Sequence, residues 1–136
     1  MIVLDEQLSG RGIETAIAQW YAGTVCFINA LRPGTLIKDE AIPDLLQQQN
    51  APTFVTINET DFWLKAKLAD DYCIVCANLS DSQAHHVNRL LRCLFRRPEF
   101  RNKTQRAGHI FRLSHNSALY YNHHAPTLVP LSNWRP

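Results

Sequence analysis

The stretch Met1-Ile2-Val3-Leu4-Asp5-Glu6 constrains this chain more than any other. Four apolar residues run straight into two carboxylates. A short, uninterrupted apolar run fits a strand buried on both faces, as in a parallel sheet. Helical residues follow almost at once, so Asp5 is expected where a strand ends and a helix begins. In open α/β sheets that carboxyl edge is where ligands bind. The expectation is an acidic pocket anchored by Asp5, to which later segments bring Asp39 and Asp61.

The rest of the chain alternates. Ile13, Ala16, Ile17 and Trp20 repeat at helical spacing, with Ser9 as the expected N-cap and Gly23 as the stop. Residues 24–28 read as a β-branched and aromatic strand, and Pro33-Gly34 as a turn. Residues 38–49 read as a helix with Ala41, Ile42, Leu45 and Leu46 inward. Pro43 is tolerated only in a first turn, which places Asp39 and Glu40 at the helix start. There they also complement the helix dipole. Residues 53–57 and 72–77 read as strands, with a turn and short helix around Asp61 between them. Asp70 and Asp71 precede the second of these strands and read as solvated loop residues. The longest helix is expected over 82–97, with Ala84, Val87, Leu91, Leu94 and Phe95 buried. Residues 108–113 and 118–122 flank Ser114-His115-Asn116-Ser117 as a hairpin. The proline-containing tail is expected to lie extended on the surface, pinned by Trp134.

This pattern predicts an α/β fold with a mostly parallel sheet and a C-terminal hairpin extension. A chain of 136 residues fits one domain, with a core over 1–100 and the hairpin and tail over 101–136. No apolar stretch approaches a membrane span, and no secretory signal pattern opens the chain, so a cytoplasmic protein without membrane association is expected. Cys73 and Cys76 form a C-x-x-C, but odd spacing on a strand points them to opposite faces. The four cysteines therefore read as free thiols in apolar surroundings.

Charge is strongly segregated. Residues 1–81 hold 11 of the 12 acids and 5 of the 14 bases; all six histidines and the other nine bases lie in 82–136. His85, Arg89, Arg92 and Arg96 form one stripe of the long helix, and Arg97, Arg101, Lys103, Arg106 and Arg112 continue the basic run. A charged helix face is ordinarily just solvated. Its continuation here favours an anionic partner, RNA first, held by Arg89, Arg92, Arg96 and Arg97. The histidine pairs His85-His86 and His123-His124 lack a matching spaced partner and read as surface residues.

Carboxylates crowded at one sheet edge repel by about 4 kcal/mol per pair at 4 Å and an effective dielectric of 20. A hard cation such as Mg²⁺ or Mn²⁺ relieves that repulsion through oxygen ligands. The same ion can activate water and neutralise charge on a phosphoryl group. Leu4-Asp5-Glu6-Gln7-Leu8, Asp39-Glu40-Ala41-Ile42, and Val55-Thr56 followed by Asp61-Phe62 resemble the L-D-E-x-L, D-x-x-I and V-T-x-x-x-D-F pattern of PIN-like domains. The similarity is greatest to the small PIN-like branch often found as the toxin of toxin–antitoxin pairs, and covers about the first 80 residues.

The resemblance implies a three-layer α/β/α domain and a Mg²⁺- or Mn²⁺-dependent ribonuclease. Asp5, Asp39 and Asp61 would hold the metal, supported by Glu6, Glu40, Asn58 and Asn78. It also implies RNA as substrate, a cognate antitoxin protein and self-association as a homodimer. Two departures stand out. Many members carry aspartate where Asn58 stands and glycine where Trp63 stands, and no clear fourth acid follows the fourth strand, where Asn78 is the only ligand-capable residue. The alternative is a catalytically degenerate PIN-like protein that binds RNA or protein. A haloacid-type phosphatase would need a second aspartate at Gln7, and a response-regulator receiver an aspartate at the end of the third strand.

Overall fold

The computed structural model describes residues 1–58, 62–63 and 69–136. Their strands form a mixed seven-stranded sheet of order β2-β1-β3-β4-β5-β6-β7. β1 is Ile2–Leu4, β2 Val25–Phe27, β3 Thr53–Thr56 and β4 Cys73–Ala77. β5 is His109–Leu113, β6 Ala118–Asn122 and β7 Val129–Pro130. The first five run parallel; β6 and β7 add antiparallel.

The apolar run at the start of the chain forms the expected two-faced strand. Ile2 and Leu4 enter one core cluster and Val3 the other, which is the period of two of a β-strand. Helix α1 (Ile13–Ala18) and helix α3 (Val87–Phe95) cover the first face. Helix α2 (Ile42–Gln47), with the buried Phe62 and Trp63, covers the second. Layers of helix, sheet and helix result. α1 and α3 meet through Trp20, whose indole N–H donates to Asn88 Oδ1 at 2.6 Å and whose ring stands edge-on to Phe95.

The C-x-x-C behaves as strand geometry requires: Cys73 belongs to one cluster and Cys76 to the other, and neither forms a disulfide among the described residues. Burial pushes the Cys73 thiol up to about 12. Cys26 and Cys93 are half-buried rather than enclosed. Pro43 sits in the first turn of α2, where its missing N–H costs nothing.

Three local expectations are corrected. Ser9 does not cap α1; it ends a 3-10 turn, Glu6–Leu8, and α1 begins after Gly12. Gly12 lies at φ +73, a conformation that needs glycine and halts any helix begun earlier. The long helix is divided, a 3-10 turn Asp81–His86 leading into α3. A Ser80/Gln83 capping box starts that turn. Finally, Arg106 is not part of a surface run. It lies 4% exposed at the end of the short helix α4 (Lys103–Arg106), its guanidinium 3.7 Å from the Phe95 ring centroid. It donates to the carbonyls of Phe100 and Arg101.

The hairpin and tail follow expectation. The 114–117 turn joins β5 to β6, β7 pairs with β6, and the buried Trp134 donates its indole N–H to the Ser114 carbonyl at 2.7 Å. Pro130 is accommodated because β7 is an edge strand. Among the described residues no helix is long and apolar enough to cross a membrane.

Candidate functional site

The strand order reverses at β1. The chain leaves it for β2 on one side and returns through α2 to β3 on the other. In parallel sheets such a switch point opens a crevice at the carboxyl ends of the strands. Asp5 is the residue immediately after β1, and it is 6% exposed. Its backbone N–H donates to Val55, which continues the β1–β3 pairing by one residue. Its side chain is fixed by the next strand: the Thr56 hydroxyl donates to Asp5 Oδ2 at 2.7 Å. The Thr56 oxygen in turn accepts the Asn58 backbone N–H at 2.9 Å. Among the described residues no Lys, Arg or His forms an ion pair with Asp5. Among the described residues Asp5 is the one buried acid, and the Thr56 hydroxyl holds it.

The other predicted residues are placed as follows. Glu6 is exposed in the 3-10 turn beside Asp5 and lines an open cavity of about 790 Å³ with Phe27, Asn29 and Leu36. Leu36 is 77% exposed at its rim. Asp39 and Glu40 are exposed in a 3-10 turn, Asp39–Ala41, just ahead of α2. Because α2 carries the chain from the end of β2 to the start of β3, that turn stands at the same edge as Asp5. Asn78 follows β4 at this edge and donates its backbone N–H to Leu113. Asp61 lies outside the described residues.

The arginine stripe divides. Arg89, Arg92 and Arg96 line, with Cys93, Arg135 and Pro136, a cavity of about 270 Å³ on the outer side of α3. Arg97 turns away from it. Arg97 bonds to Glu99 at 2.7 Å and to the Ser132 carbonyl at 2.9 Å, so it fastens the tail.

Two histidine constellations were not legible in sequence. At the carboxyl edge, His86 Nδ1 and His115 Nε2 are 2.9 Å apart, joining the start of α3 to the β5–β6 turn. Burial first, then the neighbouring His85, His115 and Arg89, hold His86 below the ordinary imidazole value. At the opposite edge, Asp70, His123 and His124 bring their ligand atoms within 4.8 Å of one another. Among the described residues this is the one group of three metal-capable side chains so close. Only the β4–β5–β6 pairing creates it, so no local signal could have revealed it.

No family model matches the chain, and no curated protein or solved structure matches it either. Fold and geometry together define a class: an α/β protein with a mostly parallel sheet and a buried carboxylate at its switch point.

Proposed function

We propose that this protein is a metal-dependent ribonuclease of PIN-like type, with its centre at the carboxyl edge beside Asp5. The observation that carries the reading is the enclosed Asp5 carboxylate, held by Thr56 and lacking a cationic partner among the described residues. Asp5 would hold Mg²⁺ or Mn²⁺ with Asp39 and Asp61, and Glu6 and Glu40 would add negative charge around it. Asn58 and Asn78, which follow β3 and β4 at the same edge, would support it. The ion, when bound, would supply an activated water and neutralise charge developing on the phosphodiester. Thr56 would keep the Asp5 carboxylate in one orientation throughout. Arg89, Arg92 and Arg96 would hold the RNA backbone along α3. The protein would act in the cytoplasm, with an antitoxin protein and a second copy of the chain as the partners that PIN-like toxins suggest.

The test is cleavage of single-stranded RNA by purified protein with Mn²⁺. The expected result is cutting that is lost in Asp5→Asn and in Asp61→Asn. Undiminished cutting by both variants would overturn the assignment.

A second reading is favoured by the placement of the α3 groove. Its three arginines converge without help from Asp5, and amides occupy two of the positions where further carboxylates would strengthen metal binding. On this reading the protein binds RNA or another protein without cutting. RNA retention that depends on Arg89, Arg92 and Arg96 but not on Asp5, with no cleavage in Mg²⁺ or Mn²⁺, would establish it.

A further inference from the structure

We propose that Asp70, His123 and His124 form a binding site for a borderline divalent metal ion of the Zn²⁺ class, at the amino edge of the sheet. This site is independent of the Asp5 edge and does not rest on the nuclease reading.

The donor set is two imidazoles and one carboxylate. Nitrogen donors favour zinc and its transition-metal neighbours over Mg²⁺ or Ca²⁺. In a tetrahedral site with bonds of about 2.0–2.2 Å, ligand atoms stand about 3.4 Å apart. The three side chains already lie within 4.8 Å, and His124 Nε2 is 2.7 Å from Asp70 Oδ1. Small side-chain rotations would bring them to that spacing. A metal ion between them would replace the direct His124–Asp70 contact.

Backbone geometry explains why adjacent histidines can act together. On a strand, consecutive side chains point to opposite faces. Here β6 ends at Asn122, and the chain bends over His123 and His124. Their rings come to 4.8 Å between centroids. The bend is tied at several points. The Asn122 side chain accepts the His124 N–H at 2.8 Å, and the Asn122 carbonyl accepts the Ala125 N–H at 3.1 Å. His123 donates its backbone N–H to Gly108 at 2.7 Å. Gly108, at φ +85, donates in turn to Tyr72, two residues beyond Asp70. This chain of bonds couples the two ligand-bearing segments before any metal arrives.

An exposed His–Asp ion pair alone would contribute little to stability and would not involve His123. The pair's side chains are 70% and 67% exposed, so an ion has open access. Three protein ligands leave a coordination position for water or an outside ligand, the arrangement of an open rather than a purely structural zinc site.

The experiment uses tag-free full-length protein titrated with Zn²⁺ by calorimetry, and with Co²⁺ by visible absorption. The expected result is one equivalent that persists in Asp5→Asn protein, with Co²⁺ bands of low-coordinate geometry. Asp70→Asn and His124→Ala should each weaken binding about tenfold or more. The equivalent held by Asp70, His123 and His124 should remain in Asp5→Asn and in the His86→Ala/His115→Ala pair, whatever further ion the Asp5 edge takes up in the wild type. All are exposed or half-buried positions apart from Asp5, and circular dichroism checks each fold. Binding unchanged in Asp70→Asn and His124→Ala would overturn the proposal, as would its loss in Asp5→Asn or in the His86/His115 pair. Absence of binding by the wild type would do the same.

Discussion

The Thr56 hydroxyl donates to Asp5 Oδ2 at 2.7 Å, from the end of one parallel strand to the end of its neighbour. The same oxygen accepts the Asn58 N–H at 2.9 Å. One side chain thus orients the buried carboxylate and starts the loop that follows β3.

Thr56→Val keeps the shape and removes both bonds. A buried carboxylate would lose its hydroxyl donor and a backbone N–H its acceptor. The expected cost is about 1–3 kcal/mol in urea unfolding. Thr56→Ser should recover most of it. Equal stability of Val and Ser variants would show that the bond contributes nothing.

The α3 groove makes two measurable demands. If three arginines contact three RNA phosphates, Arg89→Ala/Arg92→Ala/Arg96→Ala should reduce the logarithmic salt slope of binding by about 2. Cys93 lines the same groove, so bound RNA should slow its alkylation. Cys73 and Cys76, both buried, should stay unmodified in the native state with or without RNA. Mass spectrometry after brief iodoacetamide treatment reads all three at once.

His86 should respond to acid. Its folded value is lowered, chiefly by burial, so the unfolded chain takes up this proton at higher pH than the folded one. The stability linked to the group is complete above the ordinary value of about 6.5 and is lost as pH falls below it. NMR titration should place His86 below that value, and His115→Ala should move it upward. An unchanged midpoint in His115→Ala would exclude the contact as a cause.

Among the described residues Arg106 is the one buried cation. Its guanidinium satisfies the Phe100 and Arg101 carbonyls at 3.0 and 2.8 Å and lies over Phe95. Arg106→Met should destabilise by about 3 kcal/mol, because carbonyls are left unpaired. Arg106→Lys should not restore it, since an ammonium lacks the planar fork that stacks and donates together. Chemical denaturation of the two variants decides this, and a Lys variant as stable as the parent would refute the role of ring stacking.

Much of the architecture was legible because its causes are local. The run Ile2-Val3-Leu4 could only satisfy both faces of a sheet, and Asp5 had to follow it at the carboxyl edge. Pro43 marked where α2 could begin, and the odd spacing of Cys73 and Cys76 set them on opposite faces. Where local reading failed, a backbone or tertiary feature intervened. Gly12 at positive φ displaced the start of α1 past Ser9. Arg106, read as part of a basic surface, was drawn inward by Phe95 and two carbonyls. Arg97 was drawn to the tail by the Ser132 carbonyl.

The sequence by itself determined the alternation of elements, the two faces of β1, and a carboxylate at its end, since each follows from side-chain period and backbone restriction within a few residues. Tertiary structure alone decided that β1 is the switch point, that Thr56 reaches Asp5, and that Asp70 meets His123 and His124. Those relationships exist only after strands pair, because hydrogen bonding between distant segments sets their register, and register determines which side chains share an edge.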